Sequence, residues 1–330
     1  MKRSSLIVGA IAAAAFALAG CSNSGTTASQ STASGSSGSY SIGITQITTH
    51  TSLDAAREGF KQAFDDAGIA VTWDEQNAQG DQATATSIAS KFANADLDLI
   101  LAVATPSAQA TAQVITSTPI LFTAVTDPVS AQLVDSLDAP GSNVTGTTDM
   151  NPVADQISLI KEFAPDAKTV GIIYSSGEVN SEVQVELARE AAASEGLDVV
   201  ESTVTNSSEV QQAATDLASK VDAIYVPTDN TVVSAFASVV QAAEDAKLPL
   251  IAGENDSVAN GALATYGIDY AELGRQTGEM AIKILTEGAD PGTMAVQTQK
   301  EYQLTINTAT LKAIGLEIPA GLVDKAVTVD

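Results

Sequence analysis

From residue 41 onward, short apolar runs with strand character alternate with stretches whose apolar positions recur at helical spacing. Ser41-Ile42-Gly43-Ile44-Thr45-Gln46-Ile47 alternates as a half-buried strand does. Ser52 then suits a helix cap, because Leu53, Ala56, Phe60, Ala63, Phe64 and Ala67 follow at i, i+3 and i+4 spacing and Gly68 is placed to end the helix. The pattern predicts a strand at Ile69–Trp73, a helix near Ala83–Phe92, a continuous apolar strand over Leu97–Val103, a helix from Pro106 and a strand at Ile120–Val125. A second half repeats the order. It predicts strands at Thr169–Tyr174, Leu197–Val204, Val221–Val226 and Leu248–Ala252, with helices at Glu182–Ser194, Val210–Ser219 and Val232–Asp245 between them.

Strands that alternate with helices imply parallel sheets covered on both faces, since a right-handed helical crossover is the usual way to join parallel neighbours. Two such units in tandem predict a two-lobed α/β protein. The tail adds an amphipathic helix at Tyr270–Glu287, strand-like runs at Met294–Thr298 and Tyr302–Ile306, and a short helix at Ala309–Ile314 ended by Gly315. These pieces exceed two complete units and must be shared between them.

The beginning of the chain reads differently. Lys2 and Arg3 precede an uncharged run from Leu6 to Gly20, closed by Leu18-Ala19-Gly20-Cys21. That is a secretory signal in three parts, too short for a comfortable membrane span of roughly 20 apolar residues. It resembles the lipoprotein signal of bacteria, which implies that Cys21 is acylated and becomes the first mature residue. Cys21 is also the only cysteine, so a disulfide or a cysteine-based metal cluster is not available. Ser22–Ser39 carries no charge and no large apolar residue, and it reads as a flexible tether that holds the body near a membrane surface.

Charge narrows the partners. The formal net charge is −25, with 40 acidic against 15 basic residues, and loss of Lys2 and Arg3 with the leader leaves the mature chain more acidic still. Such a surface repels phosphate backbones, which makes nucleic acid an unsuitable partner. No segment after the leader is long and apolar enough to span a bilayer, so the lipid is the expected membrane attachment.

Ligands of open parallel sheets bind outside the carboxyl ends of the strands, and those ends hold polar loops here. The first half offers Gln46–Ser52, Asn77–Asp81, Thr105–Gln109 and Thr126-Asp127-Pro128. The second offers Ser175–Ser181, Thr205-Asn206-Ser207, Pro227–Asn230 and Gly253–Asp256. Each loop also has a plainer reading, since Thr105 before Pro106, Asp127 before Pro128, and Asp229 or Asn230 all fit helix caps. The chemistry these loops suit is recognition. Amides at helix starts, with Thr105 or Ser107, fit a carboxylate, and Asp229, Asp127 or Asp269 could neutralise an ammonium group. A zwitterionic amino acid needs both. Trp73, Phe122, Tyr174, Tyr225 and Tyr266 are aromatic candidates for a side-chain pocket, or simply core.

Catalytic readings have less behind them. His50 is the only histidine and sits in a Thr-rich loop, where it suits a loop or cleft contact better than a base. The chain has no phosphate loop and no His-Glu-x-x-His pattern, and the pair Glu254 and Asp256 is one of many carboxylate pairs in an acidic chain.

From Ile42 to about Pro319 the chain resembles the substrate-binding lipoproteins of ABC importers, in the subgroup associated with tryptophan or tyrosine uptake. The matching stretches are Gln76–Asp81, Ala104–Gln109, Phe122–Pro128, Asn143–Gly146, Gly177–Ser181, Val226–Asn230 and Tyr266–Tyr270. The resemblance implies two Rossmann-like lobes, each a parallel sheet flanked by helices, joined by a three-crossing hinge around a central cleft. It gives a leader at 1–20, a lipidated Cys21 and tether over 21–39, one lobe from 40–146 plus 268–293 and another from 147–267 plus 294–330. The hinge crossings are expected near Thr145–Thr148, Gly267–Asp269 and Gly292–Val296. By position, Asn77, Gln79, Thr105, Ser107, Gln109, Asp127, Glu178, Asn180, Thr228, Asp229, Asn230 and Asp269 would border the cleft. The family often has proline after the histidine of its first loop, whereas Thr51 follows His50 here. The resemblance implies a monomer that needs no cofactor, captures an aromatic amino acid by lobe closure, and hands it to an ABC permease and its ATPase. A sensor lobe for a membrane partner and a surface-anchored hydrolase are the competing readings.

Overall fold

In a computed structural model of the chain, which describes residues 39–330, the alternation of strand and helix builds two open sheets. The expected leader, Cys21 and nearly all of the expected tether lie outside the described residues. The first sheet region runs through β1 (Tyr40–Gln46), α1 (Thr51–Asp66), β2 (Val71–Asn77), α2 (Gln82–Ala93), β3 (Leu99–Val103), α3 (Thr105–Ala112), β4 (Ile120–Thr123) and β5 (Val144–Thr148). The second runs through α4 (Val153–Phe163), β6 (Thr169–Ser175), α5 (Val179–Ser194), β7 (Asp198–Val204), α6 (Val210–Ala218), β8 (Ala223–Val226), α7 (Asn230–Val233), α8 (Phe236–Ala246), β9 (Leu250–Ala252), α9 (Asn255–Ala259) and β10 (Ala264–Gly267). The tail supplies α10 (Tyr270–Glu287), β11 (Gln297–Thr298), β12 (Gln303–Asn307), α11 (Thr308–Ile314) and β13 (Ala326–Val329).

Strand order is β11-β5-β4-β3-β1-β2 in one sheet and β13-β12-β10-β9-β8-β6-β7 in the other. Pairing is parallel except between β10 and β12. Each sheet has its own apolar core. Ile42, Ile44, Phe60, Phe64, Leu101 and Phe122 anchor the first, and Ile157, Ile172, Tyr225, Ile251 and Ile306 the second. The central strands are buried on both faces, which is why β3 reads as an unbroken apolar run rather than as an alternation.

Several elements depart from the pattern. Ser52 is not the cap of α1, whose N-cap position is His50; the Ser52 hydroxyl instead donates to Asp256 Oδ2 at 2.8 Å in the other sheet region. The expected helix at Val232–Asp245 is two helices, α7 and α8, broken at Ser234–Ala235. Helices α4 and α9 and strands β5, β10 and β13 are additional. The lobe boundaries also shift. β5 extends the first sheet to Thr148, and β11 pairs with β5 through Gln297↔Thr147 and Thr298↔Thr148. The first and third crossings therefore fall at residues 149–152 and 299–302, several residues later than 146 and 293, because the pairing of β11 holds the tail on the first sheet.

Candidate functional site

The carboxyl ends of β1, β4 and β5 and the start of α10 meet the carboxyl ends of β6, β8 and β9 across one cleft. Its inner chamber is lined on one side by His50, Leu53, Ala124, Thr126, Asp149 and Tyr270, and on the other by Asn180, Thr228, Asp229, Asn230, Val233 and Glu254. The two sides touch. Thr126 Oγ1 lies 3.4 Å from Thr228 Oγ1, Ser52 bonds Asp256, and Val179 of α5 packs against the first core. The free volume of the inner chamber is only about 10 Å³, room for about one water molecule. An amino acid is therefore seated only if the lobes part and these side chains draw back. Asn230 also borders an outer chamber of about 530 Å³ between Gln79, Asp81, Pro106 and Gln109 on one side and Gly177, Glu178, Asn206 and Thr231 on the other.

Backbone geometry is unusual where the first sheet faces this cleft. Gln79 after β2, Ala104 after β3 and Ala124 after β4 have φ of 55°, 75° and 55°. Non-glycine residues seldom adopt such values, and they persist where surrounding structure enforces them. The conformation of Ala104 turns the chain directly into α3, where the buried hydroxyls of Thr105 and Ser107 have no hydrogen-bond partner. His50 Nδ1 and Asn180 Oδ1 are likewise buried and unpartnered.

Electrostatics give the site its sign. Asp149, Glu178, Asp229 and Glu254 are all buried, and no lysine or arginine lines either chamber among the described residues. Burial pushes the Asp149 and Glu254 carboxyls above the usual carboxylate range, and burial together with the Glu178 charge does the same to Asp229. The Tyr270 hydroxyl, raised by burial and by the Asp149 charge, stays a donor to Asp149 Oδ2 at 2.7 Å. A closed cavity with several carboxylates and one imidazole suits a cationic group.

The residues singled out from sequence divide into those at the cleft and those beside it. Asn180, Thr228, Asp229 and Asn230 line the inner chamber, and Gln79, Gln109, Glu178 and Asn230 the outer one. Asp229 is nonetheless occupied, accepting from Ser175 N at 2.6 Å, Ser181 Oγ at 2.6 Å and Val232 N at 2.7 Å. Thr105 and Ser107 lie buried on either side of Pro106, outside both linings. Asn77 closes a turn through Gln79 N and Thr49 Oγ1, Asp127 caps the turn at Val129 and Ser130, and Asp269 is an exposed cap of α10 bonded to Glu272 N. These three do not reach either chamber. None of the five aromatic candidates does either. Trp73 packs edge-on against Phe60 and Phe64, Tyr225 donates to Gln156 Oε1, Tyr174 donates to Glu201 Oε2, Phe122 is core, and Tyr266 packs against the second core. Asp149, Tyr270, Leu53 and Val233 line the inner chamber without having been singled out. Asp149 follows the strand-like run Val144–Thr148 directly, a position equivalent to the other strand ends and legible as such.

Residues 41–330 match the family model described as ABC transporter substrate binding protein. The chain belongs to that family. This ABC substrate-binding protein is 46% identical over 281 residues to a tyrosine-binding protein of Clostridioides difficile strain R20291, a span of 84% of this chain and 81% of the relative. Its fold matches the ABC domain in complex with L-Trp from Streptococcus pneumoniae with a TM-score of 0.86 at 35% identity, covering 89% of this chain and 100% of that one. It matches the ligand-free, open structure of a substrate-binding protein with adhesive properties from Clostridium difficile with a TM-score of only 0.67, although identity there is 46% over 88% of this chain and 99% of that one. Sequence similarity and shape thus rank the two structures oppositely. The chain superposes more closely on the L-Trp complex than on the open form. Family membership puts its work outside the cytoplasm, and among the described residues no helix is long and apolar enough to cross a membrane.

Proposed function

We propose that this substrate-binding protein captures an aromatic amino acid, tryptophan, tyrosine or phenylalanine, between its lobes and delivers it to an ABC permease. The observation that carries the reading is the shut, negatively biased inner chamber, in which buried carboxylates from both lobes converge without a lysine or arginine. A ligand ammonium offsets that charge. The tyrosine-binding relative and the L-Trp-bound neighbour support the aromatic class. In this mechanism the open form takes the ligand on one lobe, closure completes the hydrogen bonds and expels water, and the permease reads the closed shape. The protein acts as a monomer without a cofactor and without chemical turnover, and it is held to the membrane by a lipid on Cys21.

The test is melting of a soluble form beginning at Tyr40, stripped of co-purified solute and screened against twenty amino acids, nucleosides and sugars. A ligand at one hundred times its dissociation constant stabilises by about 2.7 kcal/mol, a shift of a few degrees for a chain of this size. A shift confined to the aromatic amino acids is expected. Shifts only with other solutes would remove the proposed specificity.

A further inference from the structure

Four carboxylates share the walls of the cleft, and they differ in what offsets their charge. Glu178 accepts from the backbone N–H of Thr231 at 2.9 Å and of Asn230 at 3.2 Å, and from the side chains of Asn180, Asn230 and Thr231. Asp229 accepts from two backbone N–H groups and a serine hydroxyl. Oriented amides serve both. Glu254 accepts from Ser257 Oγ at 2.9 Å, and the strongest influence drawing its carboxyl back down against burial is the nearby His50 imidazole.

The Asp149 carboxylate, like that of Glu254, is hydrogen-bonded by hydroxyls only. Its Oδ1 accepts from Thr126 Oγ1 at 3.1 Å and its Oδ2 from the Tyr270 hydroxyl at 2.7 Å, both neutral donors, and His50 is the weakest of the groups that act on it. The residue is 3% exposed and lines the inner chamber. Its place in the chain matters as much. Asp149 opens the crossing from β5 to α4, and Tyr270 opens α10 straight after the crossing from β10. The bond between them ties two of the three crossings together at the chamber wall.

We propose that Asp149 receives the ammonium group of the bound amino acid, and that Tyr270 is the positioning residue that holds the Asp149 carboxylate at the hinge. The inference rests on the amino-acid reading of the cleft. It makes the ligand's positive charge the element that favours closure, because the carboxylate it offsets sits where the chain crosses between lobes. A solute of the same shape without an ammonium group leaves Asp149 uncompensated and binds weakly.

The experiment is calorimetric titration of the full chain in detergent with L-tyrosine and with 3-(4-hydroxyphenyl)propionate, which lacks only the ammonium, and with the equivalent tryptophan pair. Wild type should prefer the amino acid by on the order of 100-fold, the scale of a buried charge-assisted bond. Asp149→Asn should bring that preference close to unity while binding the deaminated compound at least as well as wild type, which also reports that the variant is folded. Tyr270→Phe keeps the ring and removes the donor, and should lower the preference several-fold with the deaminated compound unaffected; it carries the test if Asp149→Asn does not fold. A preference that survives both substitutions, or one that Glu254→Gln abolishes and Asp149→Asn does not, overturns the inference and leaves the amino-acid reading intact. If wild type binds no amino acid and only solutes without an ammonium group, both fall together.

Discussion

Gly274→Ala is expected to wedge two helices of the first lobe apart. A Cβ at Gly274 would stand 2.6 Å from the carbonyl carbon of Ala56 and 2.8 Å from its Cα, and closer still to its oxygen. Carbon atoms pack without strain at about 3.5–4.0 Å, so the deficit is on the order of 1 Å, and no side-chain rotation can absorb it because the atoms met are backbone. Helix α1 is seated on the sheet by Phe60 and Phe64, and α10 by Leu273 and Met280, so withdrawing either opens a gap in the core. Overpacking of this kind costs about 1–3 kcal/mol, and contact with backbone puts it at the upper end. Alanine's better helix propensity returns about 1 kcal/mol. The net loss of about 2 kcal/mol corresponds to a fall of roughly 4–6 °C in melting temperature, read by calorimetry on ligand-stripped protein. Gly59 supplies an internal check, since a Cβ there would stand 2.9 Å from the carbonyl carbon of Ala271 on the facing helix. One separation of the helices relieves both clashes, so the double variant should cost less than the two single losses added. Gly321→Ala, which meets nothing within 4 Å, is the control. A Gly274→Ala protein that melts within a degree of wild type, or a strictly additive double variant, would refute this account of the interface.

Two further outcomes follow from the cleft. Burial raises the Asp149, Asp229 and Glu254 carboxyls in the folded protein, so the stability linked to their protons is fully present below the ordinary carboxylate range and is lost as pH rises through the folded values. Melting of the ligand-free protein should therefore fall between about pH 5 and pH 8, with a shallower fall in Asp149→Asn; equal slopes in the two proteins would contradict the assignment. Ala104, at φ 75° and ψ 155°, occupies a region that glycine tolerates and alanine does not. Ala104→Gly should relieve strain of about 1–3 kcal/mol, less about 0.5–1 kcal/mol for the freer unfolded chain, and raise the melting temperature by a few degrees; a lower value would show that the site carries no strain there.

Much of the fold was legible because its cores are built from strands and helices whose apolar periods are clean. The runs that became β1, β3, β6 and β8 and the stripe of α1 are set by local pattern alone. Elements at the crossings were not. β11 contributes only Gln297 and Thr298, so its membership of the first sheet is decided by pairing with β5, a tertiary fact with no local signature. Helix α4 differs, since Val153, Ile157, Ile160 and Phe163 fall at helical spacing and are buried. Its signal was present, and the expectation of a hinge at the end of β5 obscured it. Helix α9, at five residues, is too short to announce itself.

The site was legible as a set of loops and much less as a set of contacts, for a reason that Asp127, Asp229 and Asp269 share. Each is an acid at a strand end just before a turn or helix, and each folds back onto the backbone N–H groups two or three residues ahead. A carboxylate committed in that way has few lone pairs left to aim at a ligand, even where, as at Asp229, it still forms part of the wall. The neighbour of the cap is the residue that faces the cleft: Thr126 beside Asp127, Thr228 beside Asp229, Tyr270 beside Asp269. Asp149 escapes the pattern because no helix begins within reach of it; α4 starts at Val153 with Pro152 at the cap position. Its carboxylate is left to two hydroxyls, one from a strand end and one from the start of α10. Subtracting the caps first therefore turns a surplus of acidic candidates into a short list, Asp149 and Glu254, whose carboxylates take no N–H from a following helix, and of the two Asp149 is the one at a crossing between the lobes.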